Sequence, residues 1–218
     1  MKRAERAEEI MRRLGAEYPR AHIMLRYESD FQLLVAVILS AQTTDVTVNK
    51  VTPELFDAYP TPEALAAADI DDIEAIIRPT GFFHNKAKHI RETARRIVDE
   101  HGGKVPDTMD DLTALPGVAR KTANIVLFNA FGIQEGIAVD THVKRLAQRL
   151  GLTSQTDADA IERDLMRVFP RDEWGVVTYR LIDHGRAVCD AKRPICGQCV
   201  LADICPSAYK VKGWRENA

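Results

Sequence analysis

The chain has 218 residues, of which 45% are hydrophobic, and its formal net charge is -2. This length and apolar content allow a buried core in one domain or in two small lobes, and they argue against intrinsic disorder. The nearly balanced charge excludes nucleic-acid binding through overall charge, so any such contact has to come from local basic patches.

The N-terminal segment, residues 1–15, is charged throughout and lacks the apolar stretch and cleavage site of a secretory signal. The longest apolar run, Leu33 to Leu39, falls short of the ~20 residues that a membrane helix needs. Both observations predict a cytoplasmic protein that does not bind membranes.

Apolar residues recur with helical spacing in ten segments, and we find no convincing strand alternation. The predicted helices are Arg3 to Leu14, Phe31 to Ala41, Val46 to Tyr59, Thr61 to Ala68, Asp71 to Arg78, Lys86 to His101, Met109 to Ala114, Lys121 to Phe131, Thr141 to Leu150 and Asp157 to Val168. Glycine and proline residues separate them. The pattern predicts an all-α fold that turns irregular after Cys189.

Basic residues cluster in four places, and each cluster is either a surface for an anionic partner or a solvated helix face. The clusters are Lys86 with Lys88, Arg91, Arg95 and Arg96; Arg120 with Lys121; Lys144 with Arg145 and Arg149; and Lys192 with Arg193.

Residues 115–124, LPGVARKTAN, predict a short helix, a tight turn at Pro116-Gly117 and a second helix that starts near Ala119. The turn alone is equally typical of an ordinary corner between helices. Arg120 and Lys121, however, fall in the first turn of the second helix, where the helix dipole disfavours cations. Their position indicates an anion docked there, such as a phosphate that accepts backbone N–H bonds.

Asp140 directly precedes a predicted helix in the sequence VDTHV. This position is typical of an N-cap, whose carboxylate accepts backbone N–H bonds from the first turn. His142 and His184 are predicted to be structural histidines, because no other pattern assigns them chemistry.

All four cysteines lie in one short segment, at Cys189, Cys196, Cys199 and Cys205. A reducing cytoplasm disfavours two disulfides between them. Four thiolates on one loop fit either a tetrahedral zinc ion or a cubane iron–sulfur cluster, and ligand chemistry alone does not choose between these. Zinc sites more often contain two CxxC pairs, and here there is one. The pattern therefore predicts a metal site.

The two motifs together resemble the endonuclease III family of DNA glycosylases. The cysteine spacing, preceded by His184-Gly185-Arg186, resembles the four-iron cluster loop of that family. Residues 115–121 resemble its helix-hairpin-helix, in which the turn usually reads Gly-Val-Gly, followed by a basic residue and the catalytic lysine. Ala119 replaces the second glycine, which lowers DNA affinity if that position needs a positive φ or close phosphate approach.

The resemblance covers Arg12 to Cys205 and implies an all-α, two-lobed helix-hairpin-helix glycosylase fold. It implies a central lobe of residues 23–134 and a cluster lobe of residues 1–22 plus 135–218. The four cysteines, within the loop 189–205, would bind a [4Fe-4S] cluster. The cleft between the lobes would hold Lys121, Asp140 and the flipped base.

The resemblance further implies that Lys121 is the nucleophile and Asp140 the second catalytic residue. Because an amine attacks only when it is neutral, the pKa of Lys121 has to be lowered by desolvation, the helix terminus and Arg120. A carboxylate in direct contact would raise that pKa again, so we expect Lys121 and Asp140 to be near each other but not tightly paired in the free enzyme.

The same resemblance assigns DNA contacts. Gln42 matches the glutamine that enters the gap left by the extruded base, and Phe82 is the candidate wedge where the family usually has leucine. In the hairpin, the predicted contacts are Gly117, Ala119 and Arg120. The loop that contains Lys192 and Arg193 meets the DNA backbone in the family.

The implied function is that of a base-excision-repair DNA glycosylase with AP (apurinic/apyrimidinic) lyase activity. Its substrates would be oxidised pyrimidines in duplex DNA, and it would act as a monomer that associates with the nucleoid when bound to DNA. Two alternatives remain open at this point: a monofunctional adenine-mismatch-type glycosylase and a non-catalytic helix-hairpin-helix DNA-binding module.

Overall fold

The computed structural model describes residues 2–217, which form eleven α-helices and no strand. The helices are α1 (Arg3–Glu17), α2 (Asp30–Leu39), α3 (Asp45–Ala58), α4 (Pro62–Ala66), α5 (Ile70–Ile77), α6 (Phe83–His101), α7 (Met109–Ala114), α8 (Arg120–Phe131), α9 (Thr141–Arg149), α10 (Ala158–Met166) and α11 (Trp174–Ala187). Short 3-10 helices lie at Arg78–Thr80, Arg171–Glu173 and Cys196–Gln198. The prediction of an all-α protein is confirmed.

Side-chain caps explain where many of these helices begin. Seven helices in residues 2–217 start after a serine, threonine or aspartate whose side chain accepts an N–H bond from the first turn. These residues are Ser29, Thr44, Thr61, Asp69, Thr108, Asp140 and Asp157. Asp140 therefore is the N-cap that its sequence position predicted.

The chain divides into two compact units. The central unit, Met24–Glu135, contains α2 to α8. The terminal unit combines the N-terminal residues up to Ile23 with the residues from Gly136 onward, and it contains α1 and α9 to α11.

Helix α2 forms the core of the central unit. Every side chain from Leu33 to Leu39 is buried, as is that of Phe31. The helix packs against α8, α3 and α6. Its apolar character on all sides predicted this burial, and it leaves the loop after Leu39 anchored to the core.

The core of the terminal unit contains the apolar faces of all four of its helices, including Ile10, Leu146, Ile161 and Leu181. Helix α11 belongs to this core, but the sequence patterns did not predict it. It contains the β-branched run Val176-Val177-Thr178, which lowers helix propensity, and no side chain among the described residues caps its start. Burial therefore overrides local preference in this segment.

Among the helices of residues 2–217, none combines the length and the apolar character that crossing a bilayer requires.

Candidate functional site

The family usually has glycine at two positions of the turn between α7 and α8, which are 117 and 119 here. The structure requires glycine only at position 117. Gly117 has a φ of +77°, which favours glycine. A Cβ atom added there would lie 2.9 Å from His89 Nδ1 and 3.1 Å from His89 Cβ. Ala119 has a φ of -87° and is the N-cap of α8, so alanine adopts this conformation without strain. Alanine at position 119, where the family usually has glycine, is therefore compatible with the hairpin backbone.

Helix α6 supports this hairpin from one side. The Thr93 hydroxyl donates to the Pro116 carbonyl at 2.8 Å, and Arg96 Nη1 donates to the Ala114 carbonyl at 3.0 Å. Leu115 and Val118 are buried. The turn is thus fixed by contacts within the central unit.

Lys121 lies in the first turn of α8 and is exposed, whereas Arg120 is half-buried. Within residues 2–217, no side chain caps this helix start. No side-chain cap therefore competes with an anion for the N–H groups of the first turn, and the predicted anion site stays a prediction.

Asp140 begins α9 in the terminal unit and is half-buried. Its Oδ1 atom accepts the Val143 N–H at 2.8 Å, so that oxygen is fixed in position. Two residues on, burial lowers the pKa of His142, and the Asp140 carboxylate partly opposes this shift. His142 Nδ1 lies 3.1 Å from Arg145 Nη2.

The two residues predicted to open the duplex share an unusual backbone conformation. Among residues 2–217, three non-glycine residues have a positive φ, and two of them are Gln42 at +53° and Phe82 at +49°. Both are exposed, and Phe82 retains 66% of its accessible surface. Left-handed backbone at a non-glycine residue is strained and concentrates at functional sites.

All four cysteines line a single cavity in the terminal unit. Within residues 2–217, no three histidine, cysteine or acidic side chains are arranged to hold a single metal ion. Burial raises the pKa of the Cys199 thiol to about 12 and also raises the pKa of Cys205. Burial therefore favours the protonated thiols, and a metal that binds them would displace these protons. Four thiol donors around one apolar cavity fit an iron–sulfur cluster.

Two of the sulfur atoms lie within hydrogen-bond distance of side-chain nitrogen atoms. His184 Nε2 lies 3.3 Å from Cys199 Sγ, and His184 Nδ1 lies 3.2 Å from the Tyr18 hydroxyl. Burial lowers the pKa of His184 to about 4, so the ring is neutral at pH 7. Arg149 Nη1 donates to Cys189 Sγ at 3.3 Å. Such donors tune the electronic properties of iron–sulfur clusters.

The basic loop between Cys189 and Cys196 is fixed from two sides. Asp190 Oδ1 accepts the backbone N–H bonds of Lys192 and Arg193 at 2.9 and 2.8 Å. Arg149 donates to the carbonyls of Asp190 and Ala191, each at 2.7 Å. The side chains of Lys192 and Arg193 remain exposed. Sequence patterns missed both supports, although an aspartate at the start of a turn is a recognisable signal.

Several residues of the predicted basic clusters are buried or bonded to other groups of the protein. Lys86 is buried, and Arg95 pairs with Glu92 and Asp99 on its own helix. Arg145 donates to the carbonyls of Gly185 and Cys189. For Lys86 and Arg145, the interpretation as a DNA surface or a solvated face was wrong, because contacts with other elements use their donors. Arg95 is exposed and pairs along its own helix, which fits a solvated helix face.

Comparisons with known proteins agree with this arrangement. The family model of HhH-GPD superfamily base excision DNA repair proteins matches residues 35–171. The model of the iron–sulfur binding domain of endonuclease III matches residues 189–205, which contain all four cysteines.

Endonuclease III of Synechocystis sp. is 57% identical over 94% of this chain and 93% of its own length. A solved non-covalent complex of endonuclease III with DNA has a TM-score of 0.92 at 39% identity, covering 96% of this chain and 98% of the other. A trapped covalent intermediate of endonuclease III with DNA gives the same TM-score and identity, covering 96% of this chain and 99% of the other. The chain therefore belongs to the endonuclease III family of base excision repair enzymes, which are DNA glycosylases with AP lyase activity and a [4Fe-4S] cofactor.

Proposed function

We propose that this DNA glycosylase and AP lyase removes oxidised pyrimidines from duplex DNA, with Lys121 as its nucleophile. The observation that carries the proposal is an exposed primary amine in the first turn of α8, directly after a rigid hairpin turn. A helix start of this kind binds phosphate, so the amine is placed next to the DNA backbone. The trapped covalent intermediate of a relative supports chemistry through a covalent bond to DNA.

In the proposed reaction, the neutral Lys121 amine attacks the sugar carbon that bears the damaged base, and the base departs. The attacking nitrogen then gives up one proton, the bond between the sugar carbon and the ring oxygen breaks as that oxygen takes up a proton, and a protonated Schiff base forms. Loss of a proton from the neighbouring carbon then breaks the 3′ C–O bond by β-elimination. Because only a neutral amine is nucleophilic, DNA binding is proposed to exclude water from the site and so to favour that form.

Asp140 is the proposed second catalytic residue. Its Oδ1 atom is held by the Val143 N–H, which fixes the orientation of the carboxylate. The Oδ2 atom then serves as proton acceptor, and the negative charge stabilises the developing positive charge on the sugar.

The remaining predicted residues have binding roles in this proposal. Gln42 fills the gap left by the extruded base, and Phe82 wedges into the base stack. Gly117, Ala119 and Arg120 present the hairpin to a phosphate.

Cys189, Cys196, Cys199 and Cys205 are the proposed cluster ligands. The bound cluster supplies iron–thiolate bonds that order the loop carrying Lys192 and Arg193, which contact the DNA backbone. The protein is proposed to act as a cytoplasmic monomer that associates with the nucleoid when bound to DNA.

Borohydride trapping on duplexes that each contain one lesion tests the catalytic assignment. Wild-type protein should form a covalent adduct with oxidised pyrimidines, and Lys121→Ala should form none. Asp140→Asn should lower turnover by roughly 100-fold or more while changing DNA affinity little, because general base and electrostatic roles are expressed in the transition state.

Three outcomes would contradict the proposal. An adduct that persists in Lys121→Ala places the nucleophile elsewhere, and equal losses of turnover and affinity in Asp140→Asn assign that residue to binding. A wild-type protein that forms no adduct with any lesion would instead fit a monofunctional glycosylase or a non-catalytic DNA-binding module.

A further inference from the structure

The buried side chain of Lys86 links the two segments that contain the exposed, strained residues Gln42 and Phe82. Gln42 and Phe82 are forty positions apart in the chain, and both have left-handed backbone. Gln42 lies in the Gln42 loop (residues 40–44), between α2 and α3. Phe82 ends the Phe82 segment (residues 80–82), which leads into α6.

The Lys86 side chain lies beneath both segments. It retains only 4% of its accessible surface, although lysine is almost never fully buried without partners. Its Nζ atom donates to Thr43 Oγ1 at 2.6 Å and to the Thr80 carbonyl at 2.9 Å. Thr43 Oγ1 in turn donates to the same Thr80 carbonyl. The three groups form a closed hydrogen-bonded triangle.

Each acceptor lies within two residues of one of the strained residues. Thr43 follows Gln42 directly, and its backbone N–H donates to the Ser40 carbonyl at 3.1 Å. Thr80 precedes Gly81, whose φ of 66° and ψ of 159° are accessible mainly to glycine, and Phe82 comes next. The backbone N–H of Lys86 also donates to the Phe82 carbonyl at 3.1 Å. This second bond is the ordinary first-turn bond of α6, so the bond from Nζ to the Thr80 carbonyl is the one that depends on lysine at this position.

This arrangement is costly for stability alone. Burial lowers the pKa of Lys86, which records the penalty for placing a charge there. An apolar side chain of similar length would fill the same space without that penalty. An ammonium group, in contrast, bonds to acceptors on two separate segments at once and so fixes their spacing.

We propose that Lys86 is a positioning residue for base extrusion, which holds the Gln42 loop and the Phe82 segment in register so that both side chains enter the duplex together. The proposal rests on the proposed function, since it assumes that Gln42 and Phe82 act in opening the duplex. It does not place Lys86 in contact with DNA or with the reacting atoms.

The consequence is a selective kinetic defect. Removal of the Lys86 ammonium should slow steps that require an intact base to leave the stack. Cleavage at a preformed abasic site should be affected much less, because no base has to be extruded there. DNA affinity should also change little, because phosphate contacts dominate it.

The decisive measurement follows extrusion directly, using a lesion duplex with 2-aminopurine opposite the lesion and stopped-flow fluorescence of its unstacking. Lys86→Met should slow the fluorescence rise and single-turnover base excision by roughly tenfold or more, since hydrogen bonds from a charged group are lost. Abasic-site cleavage should stay within about twofold of wild type. The matched control Lys50→Met changes an exposed lysine on α3, in the same unit, and should leave all three rates unchanged.

A second pair of variants keeps the test valid if Lys86→Met fails to fold. Thr43→Val removes the hydroxyl of the triangle and should slow extrusion, whereas Thr43→Ser retains the hydroxyl and should restore the rate. In the Lys86→Met background, Thr43→Val should add little, because both changes break the same contact.

The outcomes distinguish the positioning role of Lys86 from the proposed duplex-opening role of Phe82. Phe82→Ala serves as the reference. If Phe82→Ala slows unstacking while Lys86→Met and Thr43→Val do not, the positioning role is overturned and the wedge remains. If Phe82→Ala itself has no effect, the wedge assignment is overturned, and the role of Lys86 with it. Equal loss of base excision and abasic-site cleavage in Lys86→Met would show general structural damage and would also overturn the inference.

Discussion

The hairpin and the cysteine loop both hold basic side chains at the surface, but they become rigid by different means. The hairpin is fixed by apolar burial of Leu115 and Val118 and by donors from α6. The cysteine loop contains mainly turns and is held by Arg149 and Asp190, and we propose that ligation of its thiols to the cluster orders it further. A short segment next to a core is ordered by packing, whereas one without a core needs metal ligation and hydrogen bonds to its backbone.

Removal of the cluster should give the largest difference between the two regions. In Cys196→Ala, we expect residues 189–205 to lose hydrogen-exchange protection by roughly 100-fold or more, because cluster binding provides the ordering free energy. Residues 109–131 should keep their protection. Exchange measured by mass spectrometry, together with iron content, checks this expectation. Equal loss in both regions would mean that the cluster stabilises the whole protein rather than its loop.

Gly117→Ala tests how far the hairpin depends on the backbone conformation of its turn. Alanine at a φ of +77° costs about 1–2 kcal/mol, and its Cβ atom would also press against His89. Urea unfolding should show at least this loss, and fluorescence anisotropy should show weaker binding to abasic DNA. The double variant Gly117→Ala with His89→Ala should recover part of the stability. No recovery would assign the entire cost to the backbone.

Local sequence features predicted the hairpin turn and a metal site at the cysteines, and the family resemblance specified the iron–sulfur cluster, because both features depend on residues that are close together in the chain. The turn residues, the two basic residues and the four cysteines each fall within one short segment. Side chains whose partners are distant in the sequence were not predictable. Lys86 and Arg145 belong to basic clusters in the sequence, yet their donors contact Thr43 and Gly185, each on another element.

Helix α11 illustrates a second limit. Its β-branched run disfavours a helix locally, and only the burial of residues such as Val177 and Leu181 against other helices stabilises it. The roles of Lys121, Asp140, Gln42 and Phe82 stay predictions, since they concern chemistry on DNA.

Arg149→Met should produce a smaller, local effect in the cysteine loop. The substitution removes donors to Cys189 Sγ and to the carbonyls of Asp190 and Ala191. We expect the cluster to assemble but the loop to open about tenfold more often, since hydrogen bonds from a charged group are lost. Hydrogen exchange of residues 189–196 and the rate of iron loss to a chelator measure this change. The matched control Arg163→Met, an exposed residue of α10, should change neither quantity.

The smallest effect is expected from Ala119→Gly, which restores the glycine that is usual in the family. Glycine is a better N-cap than alanine but makes the unfolded chain more flexible, and these opposing terms are each at most about 1 kcal/mol. Stability should therefore change by less than about 0.5 kcal/mol. Because the φ of -87° is open to alanine, backbone geometry gives no reason for tighter DNA binding. If anisotropy nevertheless shows an affinity gain above about threefold at constant salt, the methyl group of Ala119 limits how closely a phosphate approaches the N–H groups of α8. In that case the hairpin is rigid but sterically restricted, and the DNA affinity of the protein depends more heavily on the basic loop at Lys192 and Arg193.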